Sequence, residues 1–297
     1  MMKRLITFVL VFVFYLTSSA CAGYDIILIS DCNPPGVPDG DHEDDALVSW
    51  LQSLGYTVDT SGMSQAYRES ENPFDDPMKV TALESAGMVL ISRRTSSGSY
   101  DNDRKSWNEL ENPLLLCSGY LTRGETSSSK WGWTSGGSGD ADLTSTGIDI
   151  VNLHPFVPVS TGLFDWSEAP TPGQTPKGVY LPDSTEEVVA GGIVVATFDN
   201  RPILIDIQAG TDFDAVNDTT DKYGIAGDRR AFLGNWGYDA DLDYGQGDPR
   251  NRRANWGDFI TDDYKAMMEQ TIAVMVPEPV TIVLLGLGGL FVTCKKC

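Results

Sequence analysis

The sequence predicts an α/β fold built on a doubly wound, mostly parallel sheet, on three observations. Between residues 24 and 117, short apolar runs alternate with segments of helical period. The runs are apolar almost without a break, as strands buried on both faces require; a half-solvated sheet would alternate polar and apolar residues. Each strand also reaches the next through a stretch that reads as a helix, the crossover that parallel strands need.

Residues 24–30 (YDIILIS) form the first strand. A helix over 41–54 follows, with Leu47, Trp50, Leu51 and Leu54 at i, i+3, i+4 and i+7 and Gly55 as its C-terminal stop. Residues 57–60 make a short second strand. Asp76-Pro77 opens a second helix, with Pro at its first position and Gly87 beyond its end. MVLIS at 88–92 is the third strand, 103–111 a third helix with Trp107 and Leu110 facing inward, and PLLLC at 113–117 the fourth strand. Residues 124–143 are rich in Gly and Ser, carry Trp131 and Trp133, and read as a surface loop. Strands dominate afterwards. Residues 191–198 and 202–207, joined at Asp199-Asn200, read as an added β-hairpin. Another strand falls in 229–236. A last helix spans 262–275, with Tyr264, Met268 and Ile272 on one face. No repeat and no linker divides residues 23–276, which are read as one domain.

The two ends read as addresses. Lys3 and Arg4 precede the apolar run 5–16, and Ala20-Cys21-Ala22 supplies an A-x-A cleavage signature, so residues 1–22 are expected to be a secretory signal peptide. Twelve residues are too few to span a bilayer comfortably. Cys21 as a lipid attachment site is disfavoured, because Ser18 stands where such a signal carries Leu. At the other end, Pro277-Glu278-Pro279 leads into the apolar run 280–293 and then Cys294-Lys295-Lys296-Cys297. A helix over that run is about 21 Å long, a short transmembrane span whose lysines stay on the cytoplasmic side.

This arrangement resembles the PEP-CTERM sorting tail, over residues 277–297. The resemblance implies recognition by an exosortase at the membrane, removal of the tail, and delivery to the cell surface or extracellular matrix of a bacterium that makes exopolysaccharide. The Lys-Lys ending departs from the Arg-rich stretch commoner in that class.

Composition excludes some partners. The chain has 297 residues, 21 Lys+Arg against 42 Asp+Glu and a net charge of −21. Residues 23–276 alone hold 17 basic and 41 acidic side chains, or −24. That balance argues against nucleic acid, which needs clustered cations, and it repels anionic polymers unless divalent cations bridge them. Two His leave little room for an all-histidine metal site.

The succession IILISD, LGYTVD, AGMVLISRRTSSGS, PLLLCSGYL, HPF and GDRRAFLGNW resembles the class I glutamine-amidotransferase-like superfamily, in the noncatalytic or trehalose-utilisation-like branch of exported bacterial proteins. The resemblance covers most of residues 24–275 and implies a flavodoxin-like sandwich. Enzymes of that superfamily place a Cys on a strand-to-helix elbow with a later His and Glu. Here Cys117 and His154 take those places, but Leu115 replaces the first elbow Gly and Phe156 replaces the acid of a His-Pro-Glu motif. No helix is expected after Cys117 to lower its pKa. Three readings of Cys117 remain: a nucleophile served by His154, a small buried apolar residue, or a disulfide partner of Cys32.

Ligands of open α/β sheets lie beyond the carboxyl ends of the strands. That rule draws Asp31, Asp41, Arg93, Ser97 and Tyr120 into a candidate ligand site, with His42 read as a helix-start surface residue. None of these loops is a Gly-rich phosphate cradle. Asp239, Asp241 and Asp243 alternate as the carboxylates of a calcium loop do, although Tyr244 and Arg250 depart from the EF-hand pattern. Asp212, Asp214, Asp218 and Asp221 form a second acidic stretch. The expected protein is therefore an exported envelope or matrix component with a noncatalytic ligand-binding domain, its expected partner exopolysaccharide or a small molecule such as a carbohydrate, and no cofactor, calcium being the one cation its spacing suits. The alternatives are a small-amide or sugar-derivative hydrolase using Cys117 and a calcium-dependent adhesive module.

Overall fold

The computed structural model describes residues 23–30, 44–61, 73–92, 100, 103–124, 130–140, 148–156, 162–163, 180–185, 188, 191–235, 256 and 260–276. The signal peptide, the Pro277-Glu278-Pro279 motif and the apolar run 280–293 lie outside them. Among the described residues no helix is long and apolar enough to cross a membrane.

The fold is α/β, with a central sheet consistent with a flavodoxin-like or Rossmann-like arrangement. Strands β1 (Ile26–Ile29), β2 (Val58–Asp59), β3 (Met88–Ile91) and β4 (Leu114–Leu116) run parallel in the order β2-β1-β3-β4. All residues of β1, β3 and β4 are buried, which explains their unbroken apolar sequence. Helices α1 (Asp45–Ser53), α2 (Pro77–Ser85) and α3 (Arg104–Glu109) are the crossovers. Helix α1 buries Leu47 and Leu51 and stops at Gly55, whose φ of 97° favours a residue without Cβ. Helix α2 starts where Asp76 accepts a hydrogen bond from the Met78 N–H at 2.9 Å, with Pro77 at its first position.

The predicted hairpin is present and joins the same sheet. β5 (Ser138–Asp140) and β7 (Tyr180–Pro182) form a separate two-stranded ribbon, and β6 (Asp149–Ile150) lies at the edge of the main sheet. β8 (Gly192–Phe198) and β9 (Arg201–Ile207) turn at Asp199 and Asn200, both of positive φ, as a tight turn matched to strand twist requires. After the short helix α4 (Phe213–Val216), β10 (Arg230–Leu233) inserts between β4 and β9, parallel to the first and antiparallel to the second. The full order is β2-β1-β3-β4-β10-β9-β8-β6. Helix α5 (Asp262–Met275) starts at Thr261 and buries Tyr264, Met268 and Ile272 on its predicted inner face.

One expectation fails. Residues 124–143 are not a surface loop throughout. Trp131 and Trp133 are fully buried, and Trp131 stacks on Trp107 with centroids 5.8 Å apart. The polar residue Asn108 makes this possible. Its amide donates to the Trp131 and Tyr223 carbonyls at 2.9 and 2.8 Å, and its carbonyl accepts the Trp133 indole N–H at 2.8 Å. A Gly- and Ser-rich composition suggests solvation, but here the backbone groups find partners inside. Arg230 has a similar role. Its buried guanidinium donates to the carbonyls of Asn108, Leu110 and Asn112 at the end of α3. Burial pulls its pKa down to about 10, against the opposing charge of Asp228, so it remains protonated at neutral pH.

Candidate functional site

Five parallel strands collect their carboxyl ends on one edge of the sheet and their amino ends on the other. The switch in strand order lies between β1 and β3, and its carboxyl end is polar. Ser30 leaves β1 and Ser92 leaves β3. Both are 1% exposed, and both hydroxyls donate to the same carboxylate oxygen of Asp44, the fully buried residue before α1. A carboxylate at a helix start suits the exposed N–H groups there. One buried carboxylate therefore ties both strand exits to the first crossover.

Of the predicted ligand residues, Tyr120 is described and half-buried, beyond β4, with the Arg123 guanidinium 5.3 Å over its ring. Asp31, Asp41, Arg93 and Ser97 lie outside the described residues, as do His42 and the calcium candidates Asp239, Asp241 and Asp243. Asp212 and Asp214 are described and have other partners. Asp212 caps α4 through the N–H groups of Asp214 and Ala215. Asp214 accepts the Thr219 hydroxyl and the N–H groups of Lys222, Tyr223 and Gly224, and these donors outweigh burial and hold its pKa below the ordinary carboxylate value. Asp221 pairs with Lys105. This second acidic stretch is thus a loop organised around one carboxylate. Among the described residues no three His, Cys, Asp or Glu side chains stand close enough to hold a metal ion.

Cys117 and His154 are not brought together. Cys117 follows β4 at the carboxyl end and is 2% exposed. Turns follow it, with the Leu121 N–H on the Ser118 carbonyl and the Thr122 N–H on the Gly119 carbonyl, so no helix N-terminus meets the sulfur. Its possible disulfide partner Cys32 lies outside the described residues. His154 instead bonds to Asp206 of β9 at 3.1 Å through Nε2. Asp206 stands opposite Ala231, which stands beside Leu115. Two residues along and two strands across then separate the Cα atoms of Cys117 and Asp206 by about 12 Å.

Both imidazole nitrogens are engaged. Nδ1 accepts the Phe156 N–H at 3.3 Å, which places the ring proton on Nε2, facing Asp206. Neither nitrogen remains to take a proton from a thiol. Burial lowers the His154 pKa, while Asp206 opposes that shift. Phe156 also has its own work here, lying 4.5 Å beneath the Arg229 guanidinium.

Asp206 and Arg229 were not legible as site residues from motifs. Arg229, just before β10, grips Asp206 with two parallel bonds of 2.7 and 2.8 Å, and the Gln208 amide adds another. The available signal was one carboxylate in the otherwise apolar strand PILIDI. Such a residue needs a buried partner, and only the fold names it.

No protein-family model matches the chain, and no curated protein matches it. The chain is similar to a solved cytoplasmic protein of Salmonella typhimurium, with 11% sequence identity and a TM-score of 0.42, over 84% of this chain and 98% of that one.

Proposed function

We propose that the protein is an exported cell-envelope or matrix component that displays a noncatalytic, ligand-binding α/β domain of the glutamine-amidotransferase-like type. One observation carries the noncatalytic part. His154 is committed through both ring nitrogens to Asp206 and Phe156, while Cys117 is buried at a different place on the sheet. The elements that would make an enzyme of this scaffold serve packing instead. Export rests on the sequence of the two ends. Residues 1–22 direct secretion, and the PEP-CTERM-like tail delivers the chain to an exosortase in the inner membrane. The processed body, at −24, then stands at the surface as a strongly acidic protein whose ligand is exopolysaccharide or a small molecule, an anionic polymer being repelled unless divalent cations bridge it.

The test is alkylation of the purified protein with iodoacetamide at neutral pH, without reductant, followed by peptide mapping. Cys117 should stay unmodified until the protein is unfolded. Rapid single modification at Cys117 would reveal an activated thiolate and replace this reading with that of a hydrolase. In cells, changing Pro277-Glu278-Pro279 to alanines should hold the chain in the inner membrane. Unchanged release to the surface would remove the sorting claim.

A further inference from the structure

We propose that the edge of the sheet formed by the strand amino ends, around Tyr24, Ser85 and Val276, faces the inner membrane while the tail anchors the protein, and that the strand carboxyl ends point away from it. The inference rests on the reading above that the tail lies in that membrane, and adds which face of the body meets the lipid.

Both ends of residues 23–276 come together at one place. The chain enters at Gly23, just before β1, where a Cβ would overlap the Ser85 carbonyl oxygen at the end of α2. The Tyr24 carbonyl then accepts the Gly87 N–H at 3.0 Å. Gly87 precedes β3, and a Cβ there would stand 2.8 Å from the Asp25 carbonyl oxygen and 3.2 Å from Cγ1 of Val276. Val276 ends the body. It is 5% exposed, and its N–H bonds the Ile272 carbonyl at 2.7 Å, so α5 holds the chain up to this residue. Entry and exit therefore lie side by side at the amino ends of β1 and β3.

The length of chain beyond Val276 sets how far this edge can stand from the bilayer. Three residues, Pro277-Glu278-Pro279, separate it from the apolar run that begins at Val280. Four residue steps reach at most about 14 Å when fully extended. Each proline fixes its own φ and restricts the residue before it, which limits the ways in which the body can turn over on this tether.

The opposite edge is well separated. Ile207 of β9 lies level with Arg230 and Leu114, near the amino ends. Arg201 is six strand residues away, or about 20 Å further out. It ties the β5–β7 ribbon to that far edge, through the Pro182 carbonyl at 3.0 Å and Asp183 at 2.8 Å. Helix α2 runs back from the carboxyl ends to the amino ends, as a crossover between parallel strands does, so Met78 stands at the far edge and Glu84 at the near one.

The partner is a lipid surface, and the tether imposes the contact. Tyr24 is 49% exposed and carries an apolar ring with a polar tip, which suits the headgroup region. Charge supplies no attraction, since residues 23–276 carry −24 and anionic headgroups repel them. Removing the tail thus frees the body. Until then the carboxyl ends, where open α/β sheets bind their ligands, face outward.

The experiment is fluorescence quenching on the exported chain, made in a host without an exosortase so that its tail stays intact. The chain is reconstituted in vesicles of phosphatidylethanolamine with a minority of phosphatidylglycerol, and a nitroxide on the lipid headgroups is the quencher. A coumarin amino acid is placed at Tyr24 or Glu84 on the near edge, and at Met78 or Thr185 on the far one, all exposed positions. Two sites on each edge preserve the comparison where one variant fails to fold. Quenching should be severalfold stronger at Tyr24 and Glu84 than at Met78 and Thr185. Equal quenching at the two edges, or stronger quenching at the far one, would overturn the proposal and leave the anchor standing. A chain that does not sediment with the vesicles would remove the anchor and the proposal together, while Cys117 alkylation judges the noncatalytic reading separately.

Discussion

The two edges of the sheet satisfy their buried carboxylates with different partners, cations at one and hydroxyls at the other. Towards the amino ends of β4 and β10, buried charges are paired, while Asn112 Oδ1 and Arg230 Nε keep no hydrogen-bond partner among the described residues. Asp206 receives an arginine fork, an imidazole N–H and an amide, and Arg230 is spent on the end of α3. At the carboxyl ends the Asp44 carboxylate takes the Ser30 and Ser92 hydroxyls, and the Ser118 hydroxyl has no partner among the described residues. A buried carboxylate gripped by an arginine fork is held more firmly than one bonded by hydroxyls.

The comparison breaks first, if it is wrong, at Asp206. Replacing it with alanine strands Arg229 and His154 against a buried strand and should cost about 3–5 kcal/mol in urea unfolding. A loss under about 1 kcal/mol would mean that the amino-end network contributes nothing special. At the other edge, Gly234→Ala forces a methyl group into Leu181 and should cost about 1–3 kcal/mol. It should also move the β5–β7 ribbon, read as faster amide exchange at Leu181; unchanged exchange there would separate the ribbon from the carboxyl end.

The smallest effect sharpens the role of His154. Its pKa is lowered in the folded protein, so the unfolded chain binds the proton first as pH falls. The stability contributed by neutral His154 is thus whole above the unfolded value of about 6.5 and is lost as pH drops from there towards the folded value. His154→Gln should flatten that part of the stability–pH curve. A variant whose curve keeps the parent's slope between pH 6.5 and 5 would show that the imidazole is not held neutral by the fold.

Much of the parallel half was readable in advance. β1, β3 and β4 are continuous apolar runs, Gly55 and Asp76-Pro77 mark helix ends by local backbone chemistry, and the Asp199-Asn200 turn is specified by two residues that tolerate positive φ. These are local rules, set by dihedral preference and by burial on both faces of a strand. The segment around Trp131 and Trp133 was misread because its burial depends on Asn108, more than twenty residues away, satisfying the backbone and indole groups. The candidate site was legible only as a rule about strand ends.

By itself, then, the sequence determined the α/β class, most element positions and the acidic charge, because periodicity, turn residues and composition act over a few neighbours. Only the tertiary structure decided that β10 inserts between β4 and the hairpin and that His154 is engaged by Asp206 rather than by Cys117. Those are long-range pairings. Which buried polar group finds which partner depends on the path of the whole chain, and one apolar strand looks much like another until the sheet has ordered them.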